Sequence, residues 1–193
     1  DDAVEVQKLE NGNYYLGVHI ADVSYYVKPG MKVYEEAYTR GTSVYLADRV
    51  IPMLPHKLSN GICSLNPGED RFALSCMVEI DPSGKILSTD IKESVIRSRK
   101  QMTYKCVNSI LEKNEIPSGY EEFADTLKVM QELASILRKN KEARGYIDFD
   151  IDEAKIIVNE NGKAIDVVLR ERGTGEKLIE DFMICANETV ATH

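Results

Sequence analysis

Tryptophan is absent from this 193-residue sequence, histidine occurs three times, and only 7% of the residues are aromatic. The cysteines form no CxxC pair and show no metal-like spacing to the histidines; they are Cys63, Cys76, Cys106 and Cys185. A chain of this length buries enough surface to fold without disulfides or a structural metal. We therefore predict free, buried thiols in a reducing compartment.

Long apolar runs are also missing, and the longest is far shorter than a membrane span. No basic-then-apolar leader precedes the first strand-like segment, so no secretory signal is visible. These absences predict a cytoplasmic protein with no membrane partner.

Positive charge is in deficit, because the sequence has 24 basic and 32 acidic residues and a formal net charge of −8. This balance argues against a surface that coats nucleic acid indiscriminately. It leaves room for a locally basic groove or for a site that collects cations. With 43% hydrophobic and 29% charged residues, the composition is that of an ordinary folded domain.

The first half of the sequence is predicted to be mostly β structure. Turn signals at Asn11-Gly12-Asn13 and Pro82-Ser83-Gly84 predict two hairpins, the second between strands at 72–80 and 86–95. A short helix is predicted at 31–40. Residues 41–68 predict an ordered, irregular loop whose unusual length suggests a functional role.

The second half is predicted to be mainly helical. Apolar residues recur at three- and four-residue steps between 121 and 144, at Phe123, Leu127, Met130, Leu133 and Leu137. Shorter segments predict a helix at 103–113 with Thr103 as N-cap, strands at 146–151 and 154–169, and a final helix at 176–192. The fold class is therefore predicted as one α+β unit, with helices packed on a mixed or antiparallel sheet.

The sequence opens on two adjacent carboxylates, Asp1 and Asp2. Neighbouring side chains on a strand point to opposite faces, so on their own these two residues favour a solvated, frayed end. Carboxylate clusters also suit Mg²⁺ or Mn²⁺, and composition does not decide between these interpretations. Because the sequence begins with Asp and not Met, we expect a fragment of a longer protein.

A series of motifs then resembles the catalytic (RNB) domain of the ribonuclease II and ribonuclease R family, in particular its bacterial ribonuclease R branch. The resemblance extends over the whole chain in order. The motifs that carry it are Asp1-Asp2-Ala3-Val4, His19-Ile20-Ala21-Asp22-Val23-Ser24, Arg40-Gly41-Thr42-Ser43-Val44-Tyr45-Leu46, Arg49-Val50-Ile51-Pro52-Met53-Leu54-Pro55, Leu58-Ser59-Asn60-Gly61-Ile62-Cys63-Ser64-Leu65-Asn66-Pro67, residues 145–149 and residues 178–187.

The resemblance implies a processive 3′-to-5′ exoribonuclease that hydrolyses single-stranded RNA to nucleoside 5′-monophosphates with Mg²⁺, with Mn²⁺ as a possible substitute. The family's metal cluster is a run of four aspartates, and Asp1 and Asp2 match the last two. Asp2 thus resembles the key metal-holding carboxylate and Asp1 its supporting neighbour.

The resemblance also assigns RNA-binding residues. Tyr45 and Phe149 match the two aromatics that stack on the bases near the RNA 3′ end, and Tyr104 and Glu180 match positions that contact the ribose. From the residues alone, the aromatics fit a core role equally well, Tyr104 fits a helix start with a solvated hydroxyl, and Glu180 fits a first-turn carboxylate near the helix dipole.

Two further groups stand out. His19 and Asp22 lie within the motifs, and we predict a structural role for both. Positive charge is concentrated at Arg97-Ser98-Arg99-Lys100 with Lys105, and at Arg138-Lys139 with Lys141 and Arg144. Most of these charges are predicted to lie on solvated faces, although some are candidates for phosphate contacts.

Relative to the family pattern, residues 1–193 are expected to form a single partial catalytic domain, truncated at both ends. The first two aspartates, a later arginine-bearing segment, and the flanking cold-shock and S1-type modules are not in this sequence. We therefore expect the isolated chain to be inactive. Two alternatives are a catalytically silent RNA-binding or scaffold relative, and a protein that does not act on nucleic acid and whose motif match is purely architectural. The sequence does not specify an oligomeric state.

Overall fold

The computed structural model describes residues 1–147, 153–170 and 172–193. The chain starts with strands β1 (Asp2–Lys8) and β2 (Tyr14–Ala21), followed by helices α1 (Val23–Tyr26) and α2 (Lys32–Arg40). Short strands β3 (Val44–Tyr45) and β4 (Val50–Ile51) come next, and then a wide helical turn over Lys57–Ile62 with a kink at Gly61.

Two long strands, β5 (Asp70–Ile80) and β6 (Ile86–Arg97), precede helix α3 (Tyr104–Lys113). A single 3₁₀ turn over Glu121–Phe123 leads into α4 (Ala124–Ala143). Strands β7 (Glu153–Val158) and β8 (Ala164–Arg170) form a separate hairpin, and α5 (Thr174–Thr192) follows.

The main sheet has the order β1-β2-β5-β6, and all of its neighbouring strands are antiparallel. Its register places Leu16 beside Val6 on one side and Val78 on the other, so apolar residues of three strands share one face. Helices α4 and α5 pack on that face, and α3 packs on these two helices to complete the core. The predicted α+β class is confirmed, with an antiparallel main sheet.

Most predicted elements are confirmed, including both hairpins, the Thr103 cap and the long helix near 121–144. The predicted strand at 146–151 falls largely outside the described residues, and Tyr146 and Ile147 follow α4 without entering a strand. The last helix begins two residues earlier than predicted. There the Glu176 carboxylate accepts a hydrogen bond from the Gly173 N–H at 3.1 Å, which extends the helix start.

All four cysteines are free thiols, as predicted. Three are buried and Cys106 is half-buried. Burial raises the pKa of Cys185 to about 11, so this thiol is protonated and unreactive near neutral pH. Among the described helices, none has the length and apolar character needed to cross a bilayer.

Lys141 contradicts the prediction of a solvated basic face on α4, because it is buried. Its Nζ lies 3.0 Å from Oδ1 of Asp181 on α5, which is also buried, and 3.7 Å from the centre of the Tyr146 ring. Burial lowers the pKa of Lys141, but the hydrogen bond and charge of Asp181 outweigh burial, so the net pKa is raised. Arg138 donates to the other carboxylate oxygen of Asp181 at 2.9 Å.

We predict that Asp181→Asn lowers the free energy of unfolding by about 3–5 kcal/mol, because it leaves the buried Lys141 charge without its compensating carboxylate. Urea denaturation of the chain measures this change. The matched control is Glu188→Gln, which breaks the exposed Arg144–Glu188 pair (2.9 Å) between the same two helices. The control should cost less than about 1 kcal/mol. Equal losses in the two variants would contradict a special role for the buried pair.

Candidate functional site

A cavity of about 1010 Å³ runs along β1, an edge strand of the main sheet. Six parts of the chain line it: residues 1–6 at and along β1, His19 of β2, the loop at 64–66, the segment from the end of β6 into α3, the start of α4, and the start of α5. Residues far apart in sequence are thereby brought around one space, and several of them were predicted to be functional.

Asp1 and Asp2 both line this cavity. The Asp1 carboxylate is fixed in position, since it accepts hydrogen bonds from the Ser64 hydroxyl and, at 3.3 Å, from the Leu65 N–H. Asp2 is the first residue of β1 and pairs with Ile20 across the strands. Its exposed side chain makes no hydrogen bond or ion pair with the part of the chain that the structure describes. Asp1 is thus held by the fold, whereas Asp2 faces the cavity.

The chemistry of this donor pair fits a hard cation. Mg²⁺ binds in proteins through one or two carboxylates and completes its octahedron with waters and substrate phosphates. Within residues 1–147, 153–170 and 172–193, no group of three or more His, Cys, Asp or Glu side chains is arranged to hold a metal. Asp1 and Asp2 therefore fit part of a magnesium site, and the described residues do not complete it.

A row of polar side chains crosses the sheet beside this pair. His19 is buried, with Nδ1 2.7 Å from the Ser75 hydroxyl and Nε2 3.4 Å from Oε1 of Glu5. The hydrogen bond and charge of His19 lower the pKa of Glu5, against the effect of burial. Gly17 makes this contact possible, because a Cβ there would lie 2.8 Å from the Glu5 side chain.

These contacts are structural ones, as predicted for His19, although Glu5 and His19 also line the cavity. Asp22 has a structural role as well, since its carboxylate accepts the Tyr25 N–H at 3.1 Å and caps α1. Sequence reasoning did not identify Glu5, because a single exposed carboxylate in an alternating strand carries no signal of its own.

Tyr104 is the first residue of α3, and it also lines the cavity. The start of α5 packs against it, and a Cβ on Gly175 would lie 3.5 Å from the Tyr104 ring. Asn108, one turn further along α3, accepts the Gly175 N–H at 2.7 Å and donates to Glu176 at 2.9 Å. The same Cβ would lie only 2.9 Å from the Asn108 amide oxygen, so a glycine at 175 permits this close approach of the two helices.

Glu180 is not among the residues that line the cavity. Its carboxylate accepts a hydrogen bond from the Tyr146 hydroxyl at 3.2 Å, pairs with Arg172, and lies 3.6 Å from Lys141 Nζ. Glu180 is the seventh residue of α5, so the interpretation as a first-turn carboxylate is wrong; Glu176 occupies that turn. These contacts tie together the two ends of the segment that contains β7 and β8.

The two predicted stacking aromatics have different outcomes. Tyr45 lies on β3 with 78% of its surface exposed, so a core role is excluded for it. Its side chain is available to a ligand, although it does not line the cavity that contains Asp1 and Asp2. Phe149 lies outside the described residues, and its role as a stacking residue stays a prediction.

Both signs of charge occur in the lining of the cavity. Three carboxylates come from the start of the chain, at Asp1, Asp2 and Glu5, and three cations come from the end of β6 and the residues that follow it, at Arg97, Arg99 and Lys100. The sequence contains both groups, but the distance of roughly 90 positions between them conceals that they share one cavity.

Comparisons of the sequence and of the structure with known proteins identify the same family. The RNB domain model matches residues 1–193. Ribonuclease R 1 of Lactococcus lactis is 54% identical over 194 residues, and ribonuclease R of Thermotoga maritima is 56% identical over 192 residues. These alignments cover 100% and 99% of this chain but 24% and 27% of the relatives, so the chain spans about a quarter of their length.

The solved structure of Mycoplasma genitalium ribonuclease R in complex with double-stranded RNA has the same fold. It superposes with a TM-score of 0.93 at 34% sequence identity, over 98% of this chain and 34% of that one. The family match over every residue and the shared fold confirm the resemblance predicted from the motifs: this chain belongs to the RNB domain family.

Proposed function

We propose that this chain is part of a 3′-to-5′ exoribonuclease that hydrolyses single-stranded RNA to nucleoside 5′-monophosphates. The observation that carries the proposal is the cavity along β1, in which Asp1, Asp2 and Tyr104 lie together in a chain of the RNB domain family. In a protein of the relatives' length, cold-shock and S1-type modules would deliver the strand to this cavity.

Asp2, supported by Asp1, would hold Mg²⁺, with Mn²⁺ as a possible substitute. When bound, such an ion activates water and stabilises the charge that develops on the phosphate oxygens. The fold contributes the orientation of Asp1, because Ser64 and Leu65 fix one of its carboxylate oxygens. Asp2 has its carboxylate directed to no other described group, and this supports its assignment as the main ligand.

The remaining site residues would recognise the strand. Tyr45 and Phe149 are proposed to stack on bases near the 3′ end, which suits an enzyme that acts on any sequence. The Tyr104 hydroxyl would act as donor or acceptor toward a ribose 2′-OH, the group that distinguishes RNA from DNA. Glu180 is proposed to contact the ribose, while its existing bonds to Tyr146 and Arg172 set its orientation.

We predict that the 193-residue chain alone releases no appreciable mononucleotide from labelled single-stranded RNA in the presence of Mg²⁺. Its described residues supply two cavity aspartates and no cluster of three ligands, so the coordination of a dication would be incomplete. Product release is followed on a sequencing gel, with EDTA as the control. Robust, EDTA-sensitive release would contradict this account of the minimal site.

In a protein of the relatives' length that carries this chain, Asp2→Asn should lower turnover by about 100-fold or more, the scale on which losing one electrostatic stabiliser acts. RNA binding should be largely retained, since the swap preserves size and the stacking residues are elsewhere. The matched control is Asp125→Asn, at a fully exposed position on α4. Cleavage by Asp2→Asn near the control rate would show that Asp2 is not a metal ligand.

In the same protein, Tyr104→Phe should reduce the preference for RNA over DNA by about 2- to 12-fold, the equivalent of one neutral hydrogen bond worth 0.5–1.5 kcal/mol. A site built to bond a hydroxyl loses discrimination when its own polar group is removed. Cleavage rates on RNA and DNA oligonucleotides of the same sequence give the ratio.

Tyr38→Phe on α2, where the tyrosine is 80% exposed and packs on Tyr34, is the control and should leave the ratio unchanged. Combining Tyr104→Phe with Glu180→Gln should reduce the ratio further. Glutamine keeps an acceptor for Tyr146, and a thermal melt reports whether the fold is retained. If the ratio of RNA to DNA cleavage stays constant in both variants, Tyr104 and Glu180 have a structural role and do not contact the ribose.

A further inference from the structure

The cavity along β1 contrasts with the rest of the molecule in its charge. The chain carries a formal net charge of −8, yet three of its cations line this one space, at the end of β6 and just after it. Asp1 and Asp2 line the same cavity. An acidic protein that binds a polyanion needs such a local positive surface, because general attraction is unavailable to it.

Arg97 and Arg99 are the cations of this segment that remain accessible. Arg97 Nε lies 2.7 Å from Oδ1 of Asp70, with side-chain exposures of 64% and 59%. Arg99 bonds Glu122, also at the surface, and its guanidinium carbon lies 5.2 Å from the centre of the Phe123 ring. Exposed pairs of this kind are worth about 0.2–1 kcal/mol, so a phosphate can replace the carboxylate partner at little cost.

Lys100 has a different role. Its Nζ lies 4.8 Å from the centre of the Tyr120 ring, and the Tyr120 hydroxyl accepts the Thr103 N–H at 3.2 Å. The lysine thus packs on a buried aromatic that supports the start of α3. It contributes to the positive potential but its ammonium is engaged by the fold.

We propose that Arg97 and Arg99 form a phosphate-binding wall for the RNA strand whose 3′ end reaches Asp2. This inference rests on the proposed function and names the residues that would bind the backbone of its substrate. Arginine suits the role because its planar fork bonds phosphate oxygens in pairs. The contacts would be made to phosphates, so they would hold any sequence equally.

The second basic group, on α4, does not line the cavity along β1. Arg138 and Lys141 are bound to the buried Asp181, and Arg144 bonds Glu188. Lys141 and Arg144 line a different cavity of about 450 Å³, whose carboxylates Asp181 and Glu188 already balance them. Arg144 is nonetheless an exposed arginine in an exposed pair, so it is a close chemical match for Arg97.

The test measures binding of a fluorescein-labelled, unstructured single-stranded RNA to the 193-residue chain without Mg²⁺, over about 50–200 mM NaCl. Each phosphate contact on a single strand contributes about 0.7 to the slope of log affinity against log salt. Arg97→Gln and Arg99→Gln should each reduce the slope by about that amount, and the double variant by about twice as much. Arg144→Gln, which removes the same charge elsewhere, should leave the slope unchanged.

In a second pair of variants a carboxylate partner is removed instead, and the expected effect at Arg97 is tighter RNA binding. Asp70→Asn frees Arg97 from its carboxylate and should tighten RNA binding by about 1.4- to 5-fold. Glu188→Gln frees Arg144 in the same way and removes the same negative charge, but it should not tighten binding. This comparison separates a local contact from a change in net charge.

If the Arg97, Arg99 and Arg144 variants still bind RNA and show equal slopes of log affinity against log salt, Arg97 and Arg99 do not bind phosphates as proposed. The proposed nuclease function would not be affected by that result. Equal tightening by Asp70→Asn and Glu188→Gln would lead to the same two conclusions. Absence of RNA binding by the unsubstituted chain at the lowest salt would also contradict the phosphate-binding role of Arg97 and Arg99. The proposed catalytic function is tested separately, by cleavage with the Asp2 variant.

Discussion

Lys141 on α4 and Asp181 on α5 bring opposite charges together in the interior between two helices. Because neither charge has access to water, each fixes the position of the other, and Arg138 adds a second bond to the same carboxylate. The first turns of α4 and α5 form two walls of the cavity along β1. The ion pair therefore contributes to the position of α5 relative to α4, two of the elements that line the cavity.

The cavity combines two surfaces with different chemistry. Its β1 side offers carboxylates of two kinds: Asp1 and Glu5 are engaged by neighbouring groups, and Asp2 is not. Its other side offers arginines in weak surface pairs. Under the proposed function, the carboxylates would bind a cation and the arginines would bind phosphates, and both groups occur here on a chain with no net positive charge.

Much of the fold follows from local patterns. The Asn11-Gly12-Asn13 turn fixes the first hairpin, and the apolar spacing from Phe123 to Leu137 fixes α4, because both signals are contained within a few residues. Lys141 shows the limit of such patterns. Its position in a basic run predicts exposure, and only its tertiary partner 40 positions later explains its burial.

The candidate site was predictable in part for the same reason. Motif resemblance identified Asp1, Asp2 and Tyr104, which share the cavity, but it gave no information on which neighbours would engage each side chain. Glu180 is the clearest example, since its bonds to Tyr146 and Arg172 depend on how the chain returns after the β7–β8 hairpin. The charges in the cavity lining likewise depend on the tertiary fold, because β1 and β6 are the two edge strands of the sheet and both contribute residues to the same space.

Asn108 has a mechanical consequence for any ligand of this cavity. Its single amide group bonds the start of α5 through both Gly175 and Glu176, while its own helix begins at Tyr104. Asn108 therefore joins the N-terminal ends of α3 and α5. A strand that meets Tyr104 encounters a surface already ordered before contact, so little conformational entropy is lost at that position on binding. Affinity at Tyr104 would then depend on how well the shape of the ligand matches this surface, because the surface would not rearrange around a ligand that fits poorly.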